Sequence, residues 1–157
     1  MRKQKGFSLI ELLIVVAIIL IIAAIAVPNL LRSRMAANEA SAVGSLRTIN
    51  TAQVTYFSTY PATGYTDLGA LGGASPCTPS PATACIVDPV VSTGGAKSGY
   101  VYTSIAGAVA PATTFTSNAN PVTFGVTGMR NFFSNNGFTI TYSTNGNPAG
   151  PNDQPLQ

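Results

Sequence analysis

Residues Leu12 through Val27 are apolar without interruption, 16 in a row, and only Ser8 and Glu11 break the stretch that begins at Phe7. The whole segment reads FSLIELLIVVAIILIIAAIAV. At about 1.5 Å rise per residue a helix over 7–27 spans about 31 Å, close to the roughly 30 Å hydrocarbon core of a bilayer. The length therefore predicts a single membrane-crossing helix. A buried core helix is the rival reading, but a helix apolar all round needs a large protein around it, and only about 130 residues remain. Arg2, Lys3 and Lys5 on the short N-terminal flank favour a cytoplasmic N-terminus over the weaker pull of Arg32 and Arg34. The bulk of the chain is then expected outside a bacterial inner membrane. Ala24-Ile25-Ala26 imitates a signal-peptide cleavage site. The length of the stretch and the embedded Glu11 argue against that reading, because a lone ionised group in such a segment costs roughly 2.5 to 3.5 kcal/mol on insertion scales. Glu11 is expected to have a partner.

The charge balance narrows the function classes. The chain has 8 basic and 5 acidic residues and no histidine. Without histidine the usual general base near neutral pH and the commonest metal ligand are missing, and two cysteines alone make a poor zinc site. Asp67, Asp88 and Asp153 stand far apart and read as turn or capping residues, without calcium-loop spacing. No enzyme, catalytic residue, metal or cofactor is expected. Three of the basic residues lie in the first six positions, so the balance from Phe7 onward is 5 against 5 (8 less 3). A nucleic-acid binder needs a basic face to hold phosphates, so Tyr100, Tyr102, Phe124, Phe132, Phe133 and Phe138 read as core and not as a base-stacking platform.

Lys5-Gly6 followed by Phe7-Ser8-Leu9-Ile10-Glu11-Leu12-Leu13 resembles the processing motif of type IV prepilins and type II secretion pseudopilins, and Ala26-Val27-Pro28-Asn29-Leu30 continues the likeness. It covers roughly the first 35 residues. The resemblance implies a leader peptide over 1–6, cut after Gly6 by an inner-membrane prepilin peptidase, and N-methylation of the new terminus at Phe7. It also implies self-assembly into a helical filament, served by an inner-membrane platform protein and a cytoplasmic assembly ATPase. Glu11 would then meet the Phe7 ammonium of a neighbouring copy and set the stagger between subunits. The expected function is a type IV pilus-like structural subunit on the cell surface, with adhesion, twitching motility and DNA uptake left open. Two alternatives stay open: a periplasmic pseudopilin of type II secretion, against which the absent acidic calcium loop weighs, and a membrane-anchored periplasmic binding module.

Beyond the membrane segment, Pro28 predicts a kink or local melting, since it lacks an N–H and its ring disturbs the preceding turn. Leu31, Met35, Ala42, Leu46, Ile49, Gln53 and Phe57 recur at helical spacing, so an amphipathic continuation is expected over 28–60, ending near Ser58 ahead of Tyr60-Pro61. Met35, Val43, Leu46, Ile49, Val54 and Phe57 are expected against a folded head, with Arg32, Arg34, Glu39 and Arg47 on the solvated side or in contacts between subunits. The head, 61–157, has 97 residues, of which 13 are Gly, 10 Pro and 30 Ser, Thr or Asn, a composition of turns and short strands. Tyr100 to Ile105, Val122 to Val126 and Phe138 to Tyr142 are the candidate strands of a three- or four-stranded antiparallel sheet, and Leu68 to Leu71 is a candidate helical turn. Cys77 and Cys85 sit in a proline-rich loop, and export of the head makes a disulfide between them the natural reading. The expected class is α+β: a long N-terminal helix packed on a small antiparallel β-sheet head, the pilin fold.

Overall fold

The computed structural model describes residues 7–156. Gly6, with the expected cut after it, and the basic flank of Arg2, Lys3 and Lys5 lie outside the described residues. The chain divides into two units, Met1–Arg34 and Met35–Gln157, and helix α1, Leu9–Thr59, contributes to both. In the first unit the helix carries nothing but apolar side chains from Leu12 to Val27. It runs on through Pro28, as the resumed periodicity predicts, and of the two expected disturbances local melting is not seen. Proline deletes one rung of the backbone ladder. The neighbouring Asn29 Nδ2 donates to the Ile25 carbonyl at 3.1 Å, adding a bond where the ladder is thinned.

The second unit builds the α+β architecture. After α1 come the short helices α2, Leu68–Leu71, and α3, Pro89–Ser92, and then five strands: β1 Tyr100–Ala106, β2 Phe115–Pro121, β3 Asn131–Asn135, β4 Ile140–Ser143 and β5 Gln154–Pro155. All pair antiparallel with their sequence neighbours in the order β1-β2-β3-β4-β5, so the sheet has five strands where three or four were expected. Candidate strand Val122 to Val126 is instead a tight loop: Gly125 has φ +81°, and the Val126 and Thr127 N–H groups both donate to the Thr123 carbonyl. β4 starts two residues later than Phe138, which takes φ +59° in the preceding turn and is 46% exposed. Phe124 is likewise a surface residue, unlike Tyr100, Tyr102, Phe132 and Phe133, which are buried.

Two rows of facing residues on the sheet decide how α1 sits on it. The register sets Tyr102 beside Ala119, Ala119 beside Phe132 and Phe132 beside Tyr142, a row of bulk. The adjacent row is Ser104, Ser117 and Ser134, all buried. Ser117 Oγ donates to Ser104 Oγ at 2.8 Å, Gln53 Nε2 donates to Ser104 Oγ at 3.0 Å and to the Thr66 carbonyl, and Asn50 Nδ2 donates to Ser134 Oγ at 2.8 Å. Small side chains and waiting hydroxyls let polar helix residues be buried here. The inward line of α1 is therefore Ala42, Val43, Leu46, Ile49, Asn50, Ala52, Gln53 and Tyr56. Met35 is half-buried, while Val54 and Phe57, expected inside, are exposed. Hydrophobicity alone picks them, but they flank the line that meets the serine row.

Glu39 is the second correction, because it lies buried and not on the solvated face. Its Oε1 accepts from the Met129 N–H and its Oε2 from Arg130 Nε, both at 2.8 Å. The Arg130 guanidinium also lies over the Phe132 and Tyr142 rings, 5.5 and 5.4 Å from their centroids. Asn38 Nδ2 donates to the Thr127 carbonyl, so two consecutive helix residues hold the loop between β2 and β3. Tyr100 completes the clamp by donating to the Arg130 carbonyl at 2.8 Å. Gly128 is required beside it, since an added Cβ would lie 2.0 Å from the Tyr100 hydroxyl oxygen. Burial raises the Tyr100 and Tyr102 hydroxyls above the ordinary tyrosine value of 10.0. The stability their neutral forms give is thus complete below that pH and declines as pH rises through the raised folded-state values.

Cys77 and Cys85 are joined by a disulfide with Cα atoms 6.0 Å apart, closing the proline-rich loop. Gly73 gives it room: a Cβ there would lie 2.1 Å from Cys77 Sγ. Glu39→Ala is expected to cost about 2 kcal/mol, because the Arg130 guanidinium and the Met129 N–H lose a charged acceptor. Chemical denaturation of the full chain in detergent checks this. Reduction of the disulfide in the same assay is expected to cost roughly 2 to 3 kcal/mol, the loop-entropy value for so short a ring.

Candidate assembly site

The first unit offers a large unburied surface. Every residue from Phe7 to Leu31 is exposed except Ala23, which is half-buried. Within α1 an 18-residue window reaches a mean hydropathy of 3.3 with none of it buried, so the helix is long and apolar enough to cross a membrane. Such a surface is covered by lipid or by other helices, not by water.

The polar residues at its start are placed by helix chemistry. Ser8 precedes the first helical residue, and its N–H donates to Glu11 Oε2 at 2.9 Å. This is the reciprocal half of a capping box, in which the third helical residue reaches back to the cap. The Ser8-x-x-Glu11 spacing that produces it is legible in the sequence, although charge cost alone points only to an outside partner. One carboxylate oxygen is thereby occupied, and among the described residues Glu11 has no ion-pair partner. The carboxylate also stands at the helix N-terminus, where the macrodipole favours negative charge. Phe7 lies immediately before the cap, 80% exposed. Pro28 stands further along the same exposed helix surface. Cys77 and Cys85 belong to the other unit and form no part of this surface.

The head's aspartates hold local structure. Asp88 caps α3 by accepting from the Val90 N–H at 2.8 Å, and it meets Lys97 Nζ at 3.1 Å. The Lys97 ammonium, helped by that N–H, keeps the Asp88 carboxyl below the usual carboxylate range. Asp67 precedes α2 but accepts from the Ala106 N–H instead, and Asp153 accepts from the Gly150 N–H. Among the described residues no three His, Cys, Asp or Glu side chains come together as a metal site.

Residues 1–27 match the family model described as the prokaryotic N-terminal methylation motif. The chain is 64% identical over 39 residues to the type IV wide pilus major component PilA4 of Thermus thermophilus, a stretch covering 25% of this chain and 30% of that one. It is 46% identical over 56 residues to the type IV major pilin protein PilA of Myxococcus xanthus, covering 36% of this chain and 26% of that one. The matched part thus spans less than a third of either relative. No solved structure matches the chain significantly. The matched stretches take in 25% and 36% of the chain, so most of the head rests on its own geometry.

Ile19→Lys sets a charge in the middle of the apolar surface and is expected to disfavour membrane insertion by about 3 kcal/mol, on the order of a hundredfold. Carbonate extraction of membranes from expressing cells checks it: the parent chain stays in the pellet and the variant moves to the supernatant.

Proposed function

We propose that this chain, whose N-terminal motif is that of the type IV pilin family, is a non-enzymatic structural subunit of a type IV pilus-like filament. The observation that carries this reading is the coincidence on one helix of an unburied apolar surface and a carboxylate capping its first turn. Both relatives named above are pilus components, which favours a surface filament over a secretion pseudopilus.

In this reading segment 1–6 is a leader, 7–27 first spans the inner membrane and then lines the filament core, 28–60 continues the helix, and 61–157 is the head. A prepilin peptidase cuts after Gly6 and the Phe7 amine is methylated. The cut removes Arg2, Lys3 and Lys5 from the chain and creates an ammonium four residues ahead of Glu11. In lipid or in a helix bundle a carboxylate held by one N–H is still a costly charge. An ammonium from the adjacent copy neutralises it, and only one stagger of neighbouring helices brings the two together. Apolar helices gain little from hydrophobicity on leaving lipid for a bundle, so close packing and this one ionic contact supply the specificity. A cytoplasmic ATPase acting through a platform protein supplies the work of extraction.

The test is Glu11→Ala, with Glu11→Gln beside it to keep the cap's hydrogen bond. Both variants are expected to insert and to be trimmed to a methylated Phe7 terminus by mass spectrometry, yet to yield at least about tenfold fewer sheared filaments, since breaking a buried ion pair costs about 3–5 kcal/mol. Parent-level filaments from both variants, or a parent chain that retains Met1, would overturn the proposal.

A further inference from the structure

A groove of about 420 Å³ opens on the head between the exposed flank of α1 and the turn before β4, lined by Arg47, Asn50, Thr51, Val54 and Phe138. Asn50 forms its floor, 6% exposed and with Nδ2 spent on Ser134. Its wall is apolar, with Val54 44% and Phe138 46% exposed. Its rim carries Arg47, which among the described residues is the cation of this unit without an ion-pair partner, since Lys97 pairs with Asp88 and Arg130 with Glu39. An occupant must therefore bring an apolar surface for the wall and a carboxylate for the rim.

The same unit carries such a segment elsewhere. After the two internal pairs, its unpaired acids among the described residues are Asp67 and Asp153. Asp67 spends Oδ1 on the Ala106 N–H and lines a depression of its own, beside Ser92 and Ile105. Asp153 closes a turn in which Pro151, Asn152 and Asp153 are all exposed, with Oδ2 held by the Gly150 N–H and Oδ1 unengaged. The Asp153 turn puts the exposed Pro151 two residues from its carboxylate, whereas Asp67 is followed by the buried Leu68, so the Asp153 turn is the one that offers an apolar surface with its charge. We propose that the Pro151–Asp153 turn of a second copy seats in this groove, with Asp153 on Arg47 and Pro151 against Val54 and Phe138. The contact joins two different patches of one chain, so it is heterologous and propagates without closing, as a filament requires. It rests on the subunit reading above and names where the heads of that filament touch.

The experiment uses the full chain expressed in cells. Thr51→Cys and Asn152→Cys in one chain, with the Cys77–Cys85 pair left in place, are expected to give a reducible ladder of dimers and higher multimers in sheared filaments under mild oxidation; the parent and each single variant give monomer. Filaments of the double variant that run as monomer after oxidation would overturn the contact. R47D and D153R are each expected to lower filament recovery about two- to fivefold, the range an exposed ion pair supports, and R47D/D153R to restore it. A charge-swapped chain no better than the singles would also overturn the contact. If the parent chain itself made no filaments, the subunit reading would fall first and the contact with it.

Discussion

A helix that is apolar on every side has no stable place in water, and α1 is such a helix from Leu12 to Val27. From Met35 onward the same helix narrows its buried face to a single line of Ala42, Leu46, Ile49, Gln53 and Tyr56, and covers that line with its own sheet. The change of surface along one helix divides the chain's duties. The second stretch is satisfied within the chain; the first is satisfied only by lipid or by other chains. The head's fold therefore has to solve only half of the helix's burial problem, which is why 97 residues poor in large apolar side chains suffice for it.

Glu11 shows how a charge is made tolerable in the half that remains. Its carboxylate accepts the Ser8 N–H, satisfying an orphan donor of the helix start and using the favourable end of the macrodipole. Those interactions lower the cost of the charge without cancelling it. A residue that only capped the helix could equally be glutamine, since an amide oxygen accepts the same bond in a capping box. Retaining the full charge in an apolar segment gains something only where a cation arrives. The cap and the proposed ionic contact are therefore compatible uses of two oxygens on one side chain, and the first holds the second in position.

Local signals were readable and cross-chain ones were not. The apolar run, the stop before Pro61, the turn at Leu68–Leu71 and strand β1 each follow from patterns within a dozen residues, and the α+β class follows from them. β2 carries little strand signal because its inward residues are Phe115, Ser117 and Ala119, two of them small, in a strand rich in Asn. β3 carries none, because Phe132 and Phe133 are adjacent and both buried, which erases alternation. The buried positions of Asn50, Gln53 and Glu39 depend on Ser134, Ser104 and Arg130, partners 84, 51 and 91 residues away in the chain. No periodicity in the helix can announce a hydroxyl waiting on a distant strand. At the candidate site the position was better: Glu11 stood out by cost alone, whereas its link to Ser8 required reading the pair as a cap.

The scarcity of charge fits this economy. From Phe7 onward the chain carries five basic and five acidic residues, and the head surface is made polar chiefly by Ser, Thr and Asn. A soluble monomer with so little net charge is prone to associate, because nothing repels a second copy. In the proposed filament subunit that tendency is an advantage: copies approach at close range without long-range repulsion, and specificity falls to the few charges left unpaired. Within the second unit two of those charges already clamp α1 to the sheet, as Glu39 and Arg130, and two more fasten the α3 loop, as Asp88 and Lys97. Using four of the seven charges of the unit Met35–Gln157 inside the fold leaves Arg47, Asp67 and Asp153 to face outward, a set small enough that one cation can choose between two carboxylates by what stands beside each. The exposed Pro151 favours Asp153.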